Sequence, residues 1–258
     1  MDTAAQYVVQ ARGIRKAFGH VEALRGVDFE AKAGEVTALI GDNGAGKSSL
    51  VKVLSGVYVP DEGELRIDGK PVRLSSPADL REHGIETVYQ DLALATDLTP
   101  YENVFMGREI FRGGPLAPLR LVDRRTMRAR AEETFRGLDV RIKDQGAPVA
   151  ALSGGQQQSV AIARAAMWAR HLVMMDEPTA ALGVAQTRSV LELIRRVADQ
   201  GIAVILISHN MPDVLSVADS IQVLRLGQRV ASFARGEAEV PDLVQAMTSG
   251  TPAEAKAS

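Results

Sequence analysis

The chain of 258 residues contains no cysteine, which excludes disulfide bonds, thiolate metal sites and a cysteine nucleophile. Aromatic residues are scarce, and the single tryptophan, Trp168, follows an apolar helical stripe, which predicts core packing rather than a sugar-stacking platform. Apolar runs such as IAVILI at 202–207 are far too short to span a bilayer. The first residues lack the apolar region of a signal peptide, so we expect a protein of the cytoplasm.

Neither sign of charge dominates. Thirty basic and 32 acidic residues are intermixed and give a net charge of −2. No basic face therefore indicates nucleic-acid binding, and no cationic helix indicates a membrane surface, although either could be reached through a partner protein. A chain of this length should bury roughly 70–75% of its unfolded surface, which suits one large α/β domain or one domain with a subdomain.

The most informative stretch is GDNGAGKS at 41–48, which follows the apolar run VTALI. Its three glycines allow left-handed backbone conformations and bring N–H groups close to phosphate oxygens. Lys47 can reach the β- and γ-phosphates, and Ser48 can offer a hydroxyl to Mg²⁺. The helix that begins near residue 47 points its positive end at the phosphates. Because the pattern should arise by chance in roughly one such chain in a hundred, a glycine-rich turn that merely ends in Lys-Ser is a poor alternative.

Apolar periodicity predicts alternating strands and helices. Such alternation implies a parallel sheet covered on both faces, with ligands at the carboxyl ends of its strands. The predicted elements are strands within 7–40 with turns at Gly19, Gly26 and Gly34, a helix at 47–54, a hairpin at 63–74 turned at Asp68-Gly69, a helix opened by Ser76-Pro77, a strand at 85–89, helix starts at Thr99-Pro100 and Asp123, a helix within 151–170, a strand at 172–177, a helix at 183–200, a strand at 202–207, a hairpin at 219–234, a short helix at 241–248 and a disordered tail from 250.

Three predicted strands end in candidate ligand-binding residues. A parallel arrangement brings Gly41, Asp176 and His209 to one edge of the sheet, although a single histidine is more often structural. Asp176 and Glu177 are adjacent, so on an extended chain their side chains point to opposite sides and should differ in function.

Other features allow two interpretations each. Phe18 could stack on an adenine ring, but periodicity alone favours a core position. Gln90 directly follows a strand, where a solvated amide is the ordinary interpretation. Two glycines open the helix in LSGGQQQ (152–158) and weaken it by roughly 1 kcal/mol each, which indicates a close approach to its N-terminus; a flexible loop is the alternative. The helix opened by Asp123 carries both charge signs, which predicts a solvated or partner-facing surface.

Taken in order, these motifs resemble the ATP-binding subunits of ABC transporters over nearly the whole chain. The matching stretches are GDNGAGKS, Gln90, LSGGQQQ, LVMMDEPT (172–179) and His209, of which LSGGQ is close to diagnostic. The resemblance implies an α/β P-loop NTPase fold, the ABC cassette, with a mainly parallel sheet core, an antiparallel β subdomain and a helical subdomain at about 91–160. Residues 1–249 would form one ATPase domain.

The resemblance also implies roles for individual residues, with ATP and Mg²⁺ as ligands. Glu177 would polarise the attacking water, His209 would contact the γ-phosphate, and Gln90 and Lys47 would complete the catalytic set. Mg²⁺ would be held by Ser48, by Gln90 and, through water, by Asp176. The nucleotide would lie against Phe18, Gly41, Asn43, Gly44, Ala45, Gly46, Lys47, Ser48 and Ser49 of one subunit and Ser153, Gly154, Gly155 and Gln156 of the other subunit in a head-to-tail dimer.

Within the family, VYQDLAL and DEPTAALGVAQT are similar to the importers of simple sugars of the ribose, xylose and fructose type. Such a subunit would form a homodimer on ATP binding, or pair with a paralogue, and would sit peripherally at the cytoplasmic face of the membrane. It would drive a separate transmembrane permease that receives sugar from an extracytoplasmic binding protein, and would bind no nucleic acid. Gly183 departs from the family pattern, which usually has aspartate there.

Two other classes remain open from the sequence. A soluble ABC ATPase acting on ribosomes or DNA would bring tandem cassettes with a charged linker, or long coiled coils, and this sequence contains neither. A nucleotide-binding regulator with little turnover is the third class, and an ATPase measurement separates it from the other two.

Overall fold

The computed structural model describes residues 7–142 and 144–250, which form two sheets flanked by helices. In chain order the strands are β1 (Tyr7–Phe18), β2 (Val21–Lys32), β3 (Val36–Ile40), β4 (Glu62–Ile67), β5 (Lys70–Val72), β6 (Ile85–Val88), β7 (Leu172–Asp176), β8 (Ala203–Ile207), β9 (Ser220–Arg225) and β10 (Gln228–Ala234). The helices are α1 (Lys47–Leu54), α2 (Pro77–Glu82), α3 (Pro100–Phe105), α4 (Arg124–Gly137), α5 (Gly154–Trp168), α6 (Val184–Asp199), α7 (Met211–Val217) and α8 (Val240–Ser249), with 3₁₀ turns at Gly114–Leu119 and Val149–Ala151.

The larger sheet has six strands in the order β10-β9-β3-β8-β7-β6. All of its pairings are parallel except that of β10 with β9 at one edge. The spatial order of the strands differs from their order along the chain. Parallel neighbours need long crossover connections, and the helices supply them. The fold class predicted from the sequence, an α/β cassette with a mainly parallel core, is confirmed.

A second, antiparallel sheet in the order β2-β1-β4-β5 forms the β subdomain. Its hairpin turns at Asp68-Gly69 as predicted, with φ values of 48° and 74° that suit a tight two-residue turn. The predicted turn at Gly26 is wrong. Gly26 lies inside β2 with φ 87°, and the pairing with β1 skips it, so the residue forms a bulge rather than a reversal.

The parallel strands are buried on both faces, which explains their unbroken apolar sequence. In β7, Leu172 and Met174 pack with β2 and α1, whereas Val173 and Met175 pack with α5 and α6. The same alternation holds along β8. One face of the sheet is therefore covered by helices and the other by α1 together with the antiparallel sheet. A third apolar cluster joins α7 and α8 to the outer strands.

Most helix starts follow their predicted caps. Ser76 and Asp123 each accept a hydrogen bond from the backbone of the residue three positions on, and Thr99 opens α3 with a capping box. No element was predicted between 208 and 218, where the structure has α7, which begins after its N-cap Asn210. Trp168 packs edge-on against Phe105 and donates its indole N–H to the Val104 carbonyl at 2.8 Å, so the prediction of core packing is confirmed.

Two further predictions concern the chain ends and the membrane. Gly250 ends α8 in a left-handed conformation, and the rest of the tail predicted to be disordered, 251–258, lies outside the described residues. Among residues 7–142 and 144–250, no helix combines the length and the apolarity needed to cross a membrane.

Candidate nucleotide site

The loop between β3 and α1 requires glycine at two positions for steric reasons. Gly41 has φ 153°, and a Cβ there would lie 2.3 Å from the Leu224 carbonyl oxygen. Gly46 has φ 104°, and its Cβ would lie 2.8 Å from the Ala23 carbonyl oxygen. Both obstacles are backbone atoms that cannot move aside. The positive φ values predicted for these glycines are confirmed. The loop packs directly against the backbone of β2 and β9.

The N-terminus of α1 is left without a side-chain cap, because Gly46 occupies the cap position. Its first N–H groups and the positive end of the helix dipole are therefore available to an anion. The Lys47 ammonium group folds over the loop and donates to the carbonyls of Gly41 at 2.6 Å and Asp42 at 3.1 Å. Burial lowers the pKa of Lys47, and the negative charges of Glu177, Asp42 and Asp176 oppose that shift.

A cavity of about 460 Å³ opens in front of this loop, a size suited to a small ligand. Besides Asp42 to Ser49, it is lined by residues that the sequence analysis missed. These come from β2, where Ala23 and Arg25 lie beside the loop, and from the β9–β10 turn at Leu226-Gly227. Gly227 connects the phosphate loop to β2. Its N–H donates to the Ala45 carbonyl of the loop, and its carbonyl accepts from the Arg25 N–H of β2.

Three strand ends meet at this edge of the parallel sheet. Leu39 of β3 and Asp176 of β7 both stand opposite Ile207 of β8, so the residues that follow each strand emerge side by side. The prediction that Gly41, Asp176 and His209 reach one edge is confirmed by this register.

The prediction that Asp176 and Glu177 diverge as on an extended chain needs correction. Asp176 is the last strand residue, but Glu177 has φ 51°, which turns the chain at that point. The Glu177 N–H still donates to the Ile207 carbonyl at 2.9 Å, and its Oε1 lies 2.8 Å from His209 Nδ1. His209 is otherwise open to solvent, with 76% of its side chain exposed.

Asp176 has a different environment from Glu177. Burial raises the pKa of Asp176, the negative charge of Glu177 raises it further, and Lys47 opposes both. Within the described residues the Asp176 carboxylate accepts no hydrogen bond. Such a half-buried carboxylate is stabilised when a cation reaches it.

The turn after Glu177 is held by a pair of residues that the sequence analysis missed. Thr179 donates its hydroxyl to the buried Asp213 carboxylate of α7 at 2.8 Å. Ala180 N–H donates to the Glu177 carbonyl at 3.1 Å. No local pattern signals the Thr179–Asp213 contact, because 33 residues separate the two along the chain.

Phe18 and Gln90 take less enclosed positions. Phe18 is 42% exposed at the end of β1, so the core position favoured by periodicity is wrong. Its ring packs edge-on against Tyr58 at 5.1 Å, and its cross-strand partner Val21 lines the cavity. Gln90 is exposed just beyond β6, and its side chain bonds to none of the described residues.

The LSGG segment forms an ordered helix start, so the flexible-loop alternative is wrong. Ser153 caps α5, accepting from the Gln156 N–H while its own N–H donates to Gln156 Oε1 at 3.0 Å. These residues line a separate cavity of about 370 Å³, which shares no lining residue with the first. One chain therefore presents the two predicted parts of the nucleotide site at different places.

The sequence predicts that another group lies close to the two glycines. At Gly155 that group is the Gln186 side chain of the same chain. A Cβ on Gly155 would lie 2.8 Å from Gln186 Cγ of α6, whereas one on Gly154 would meet nothing nearer than 3.7 Å. Gln186 also approaches Gly183, the N-cap of α6, whose Cβ would lie 2.7 Å from Gln186 Oε1. Gly154 is thus exposed, whereas Gly155 is buried against Gln186 at the edge of the cavity.

Known proteins resemble this chain in sequence and in fold. The model of the ABC transporter family matches residues 24–180. The fructose import ATP-binding protein FrcA of Rhizobium meliloti is 48% identical over 248 residues, 95% of each chain. The xylose/arabinose import ATP-binding protein XylG of Sulfolobus acidocaldarius is 43% identical over 94% of each chain. A solved ATP-binding cassette of an ABC transporter in its ADP conformation superposes with a TM-score of 0.79 at 27% identity, covering 94% of this chain and 95% of that one. The chain therefore belongs to the ABC transporter family, as an ATP-binding domain.

Proposed function

We propose that the chain is the ATP-binding and ATP-hydrolysing subunit of an ABC importer and powers uptake of a monosaccharide through a separate permease. The observation that carries the ATPase assignment is the convergence of Lys47, Asp176, Glu177 and His209 at the carboxyl edge of β3, β7 and β8. The sugar class is supported by the relatives, which are named for the import of fructose and of xylose or arabinose.

In this proposal the loop between β3 and α1 binds the triphosphate. The uncapped start of α1 offers its N–H groups, and Lys47 exchanges its two carbonyl contacts for phosphate oxygens. Phe18 stacks on the adenine from the rim of the cavity, with Tyr58 behind it. The loop residues in contact with phosphate are Gly41, Asn43, Gly44, Ala45, Gly46, Lys47, Ser48 and Ser49.

The donor set suits Mg²⁺, which prefers hard oxygen ligands and usually binds through one or two protein groups plus phosphates and water. Ser48 supplies a hydroxyl, Gln90 an amide oxygen, and Asp176 the half-buried carboxylate that lacks a partner. When bound, Mg²⁺ would neutralise charge on the phosphates during transfer. Asp176 then keeps its negative charge, because a cation offsets both its burial and the neighbouring Glu177.

Glu177 is the proposed general base. Its carboxylate can orient the attacking water and accept a proton from it, while Lys47 holds the γ-phosphate that the water attacks. His209 Nδ1 holds the Glu177 carboxylate in place at 2.8 Å, and a histidine so exposed is free to turn toward the γ-phosphate of bound ATP. Gln90 would contact the same water and sense whether nucleotide is present.

A second copy would complete the site. Ser153, Gly155 and Gln156 line a cavity apart from the phosphate loop, and Gly154 is exposed beside them. In a head-to-tail pair these four residues would close on the nucleotide held by the other copy. We take residues 1–249 as one ATPase domain whose helical subdomain, about 91–160, carries these residues. Closure and reopening would move the surface around Gln90 and residues 91–120 against the permease at the cytoplasmic face of the membrane, with an extracytoplasmic sugar-binding protein and no nucleic acid in the system.

The test is the Glu177→Gln variant. We expect it to bind ATP but to lose roughly 10²-fold or more of its hydrolysis rate, the range for loss of a general base. With ATP and Mg²⁺ it should accumulate as a dimer in size-exclusion chromatography. Glu133→Gln, an exposed carboxylate on α4, is the matched control and should keep full activity. A Glu177→Gln chain that hydrolyses ATP at the normal rate would refute the assignment.

Sugar selectivity is assigned to the partners rather than to this chain. Calorimetry of the purified chain with a panel of pentoses and hexoses should therefore give no binding heat. Micromolar binding of any sugar would contradict this assignment while leaving the ATPase proposal intact. The substrate itself is identified by transport of labelled sugars in cells with and without the Glu177→Gln variant.

A further inference from the structure

Two short segments carry the residues proposed for the hydrolysis step. Glu177 follows β7 and His209 follows β8, and the Glu177 Oε1 lies 2.8 Å from the His209 Nδ1. The His209 side chain is largely exposed, so packing around its ring does not fix this contact. The geometry of the pair therefore depends on how the two segments themselves are held.

The segment after β7 is a turn with an unusual backbone. We call residues 177–182 the Glu177 turn. Glu177, with φ 51°, and Ala181, with φ 60°, both adopt the left-handed conformation although neither is glycine. Such residues cost free energy and persist only where the surrounding structure holds them. The bond from the Ala180 N–H to the Glu177 carbonyl lies within the turn, so it does not attach the turn to a neighbouring element.

A side-chain hydrogen bond attaches the middle of this turn to α7. The Thr179 hydroxyl, which lies between the two left-handed residues, donates to the Asp213 carboxylate at 2.8 Å. Asp213 is the third residue of α7 and is only 9% exposed, so it is a fixed point of attachment. The residues on both sides of His209 are tied to the same helix start: Asn210 caps α7 by accepting from the Asp213 N–H, and its own N–H donates to the Ser208 hydroxyl.

The chemistry of the Thr179–Asp213 contact is poorly suited to stabilising the fold. Within residues 7–142 and 144–250, no cation pairs with Asp213, and the Thr179 hydroxyl is the one side-chain donor to its carboxylate. A buried carboxylate with a single neutral donor is costly, whereas two apolar side chains of similar shape would be nearly neutral. The contact therefore contributes position more than it contributes stability.

We propose that Thr179 and Asp213 are positioning residues for ATP hydrolysis, whose hydrogen bond holds the Glu177 turn against α7 and so places the Glu177 carboxylate beside His209. Neither residue lines the cavity in front of the phosphate loop, so both act through Glu177. A displacement of about 1 Å at a reacting group can slow a reaction about 10²-fold, so a bond made two residues away can control the rate. The inference rests on the proposed function, in which Glu177 is the general base.

Steady-state ATPase kinetics of the full chain test the proposal. Thr179→Val keeps the shape of the side chain and removes the hydroxyl. We expect its kcat to fall about tenfold or more while KM for ATP stays within about twofold, because the groups that bind phosphate are unchanged. Thr179→Ser keeps the hydroxyl and should restore most of the rate.

Melting temperatures separate positioning from folding. Thr179→Val leaves the buried Asp213 carboxylate without its donor, so this variant should melt at a lower temperature. Combining it with Asp213→Leu replaces both partners by apolar groups, which should recover the melting temperature but not kcat. Recovery of both quantities in the double variant would show that the pair only stabilises the fold, and the proposal would be wrong.

A double-mutant cycle tests whether the contact acts through the Glu177–His209 pair. His209→Ala should slow hydrolysis strongly in the unaltered chain. In the Thr179→Val chain it should slow hydrolysis by a much smaller factor, because the first change has already displaced Glu177 from the histidine. Equal factors in the two chains would mean that the changes act independently, which contradicts the proposal.

Thr134→Val is the matched control. The Thr134 hydroxyl donates to the Arg130 carbonyl at 3.1 Å within α4, so the same change of side chain there should leave kcat and KM unaltered. A Thr179→Val chain that keeps the full kcat, or that only raises KM for ATP, would overturn the proposal. If Glu177→Gln were inactive in the same assay, the proposed function would still stand, so the two failures are distinguishable.

Discussion

At the scale of single residues, Asp176 illustrates a conflict between stability and function. Its carboxylate is half buried beside Glu177 at the end of β7, and within the described residues nothing donates a hydrogen bond to it. Burial raises its pKa, so in the folded chain its charged form is disfavoured relative to the unfolded chain. A site that awaits a cation carries this penalty until the cation binds.

We therefore predict that Asp176→Asn raises the melting temperature of the chain when nucleotide and Mg²⁺ are absent, and that it abolishes hydrolysis. A carboxyl group with a raised folded pKa lowers stability as the pH rises above its unfolded value of about 3.9. The gain from the variant should thus be small in acid and largest near neutral pH. Thermal denaturation across this pH range, with a chelator present, measures the difference.

Asp61 is a control, because its pKa is shifted in the opposite direction from that of Asp176. Hydrogen bonds from the Lys16 side chain and the Ala17 N–H lower its pKa. The stability that it contributes is present above pH about 3.9 and is lost as the pH falls through the folded value. Asp61→Asn should therefore lower the melting temperature at neutral pH and matter less in acid. If both variants shifted the melting temperature in the same direction at neutral pH, the argument from burial would be contradicted.

Gly183 gives a second prediction at this scale. It caps α6 without a side-chain bond, so aspartate there should stabilise the helix by a few tenths of a kcal/mol. The new Cβ would displace the end of the Gln186 side chain, which also lies against Gly155 of α5. We expect Gly183→Asp to change ATP turnover, because the shift reaches the LSGG segment and adds a carboxylate beside it.

Gly183→Ala separates the two causes. It introduces the same Cβ without the carboxylate, so equal turnover changes in both variants would assign the effect to the displacement of Gln186. A change confined to the aspartate variant assigns it to the charge. Higher melting temperature with unchanged turnover, with and without the permease, would contradict a functional role for this position.

At the scale of elements, the contact between α5 and α6 depends on the absence of a side chain. We predict that Gly155→Ala costs about 1–3 kcal/mol of stability, the usual range for overpacking, because its Cβ would lie 2.8 Å from Gln186 Cγ and 2.9 Å from Gln186 Cβ. Denaturant unfolding without nucleotide measures this cost. Gln186→Ala removes the nearer atom and should recover part of the loss in the double variant.

Gly154→Ala is the matched control on the same helix turn. Its Cβ would meet nothing nearer than 3.7 Å, so the better helix propensity of alanine should leave stability unchanged or raise it by up to about 1 kcal/mol. If Gly154→Ala and Gly155→Ala destabilised the chain equally, the close approach of Gln186 would not be the reason for the second glycine.

At the scale of the whole molecule, a site shared between two copies predicts complementation. Lys47→Ala removes the phosphate contact of one copy. Gly154→Asp places a negative charge where the other copy should meet the phosphate, at a first-turn position where aspartate favours the helix. Each variant alone should be nearly inactive. Mixing them forms pairs that contain one copy of each variant. In such a pair one site carries both the Lys47→Ala and the Gly154→Asp changes, whereas the other site carries neither.

We therefore expect the mixture to recover ATPase activity well above the sum of the two variants, with up to half the pairs active in one site. The rate as a function of mixing ratio measures this recovery. Lys47→Ala mixed with Glu177→Gln is the control, because both changes act on the copy that holds the phosphates. In those pairs each of the two sites keeps one defect, so activity should stay low. No recovery in the first mixture would contradict a shared site.

Much of the fold and the site follows from the sequence, because the signals are local. Glycine spacing in GDNGAGKS determines the backbone of the phosphate loop, and apolar alternation determines which strands are buried on two faces. Capping residues such as Ser76 and Asp123 mark helix starts through bonds that span three residues. Since parallel strands align their carboxyl ends, even the meeting of Asp176 and His209 at one edge could be predicted.

The tertiary structure alone decided the features that depend on contacts distant along the chain. Gly26 is a bulge because of its pairing with β1, and Phe18 stays exposed beside Tyr58 because the core closes without it. Gly155 is needed because Gln186 packs over it, although nothing in LSGGQQQ identifies α6 as the neighbour. The physical reason is the same in each case: a periodic pattern specifies which face of an element is buried, whereas the atoms that meet there are set by how the elements pack.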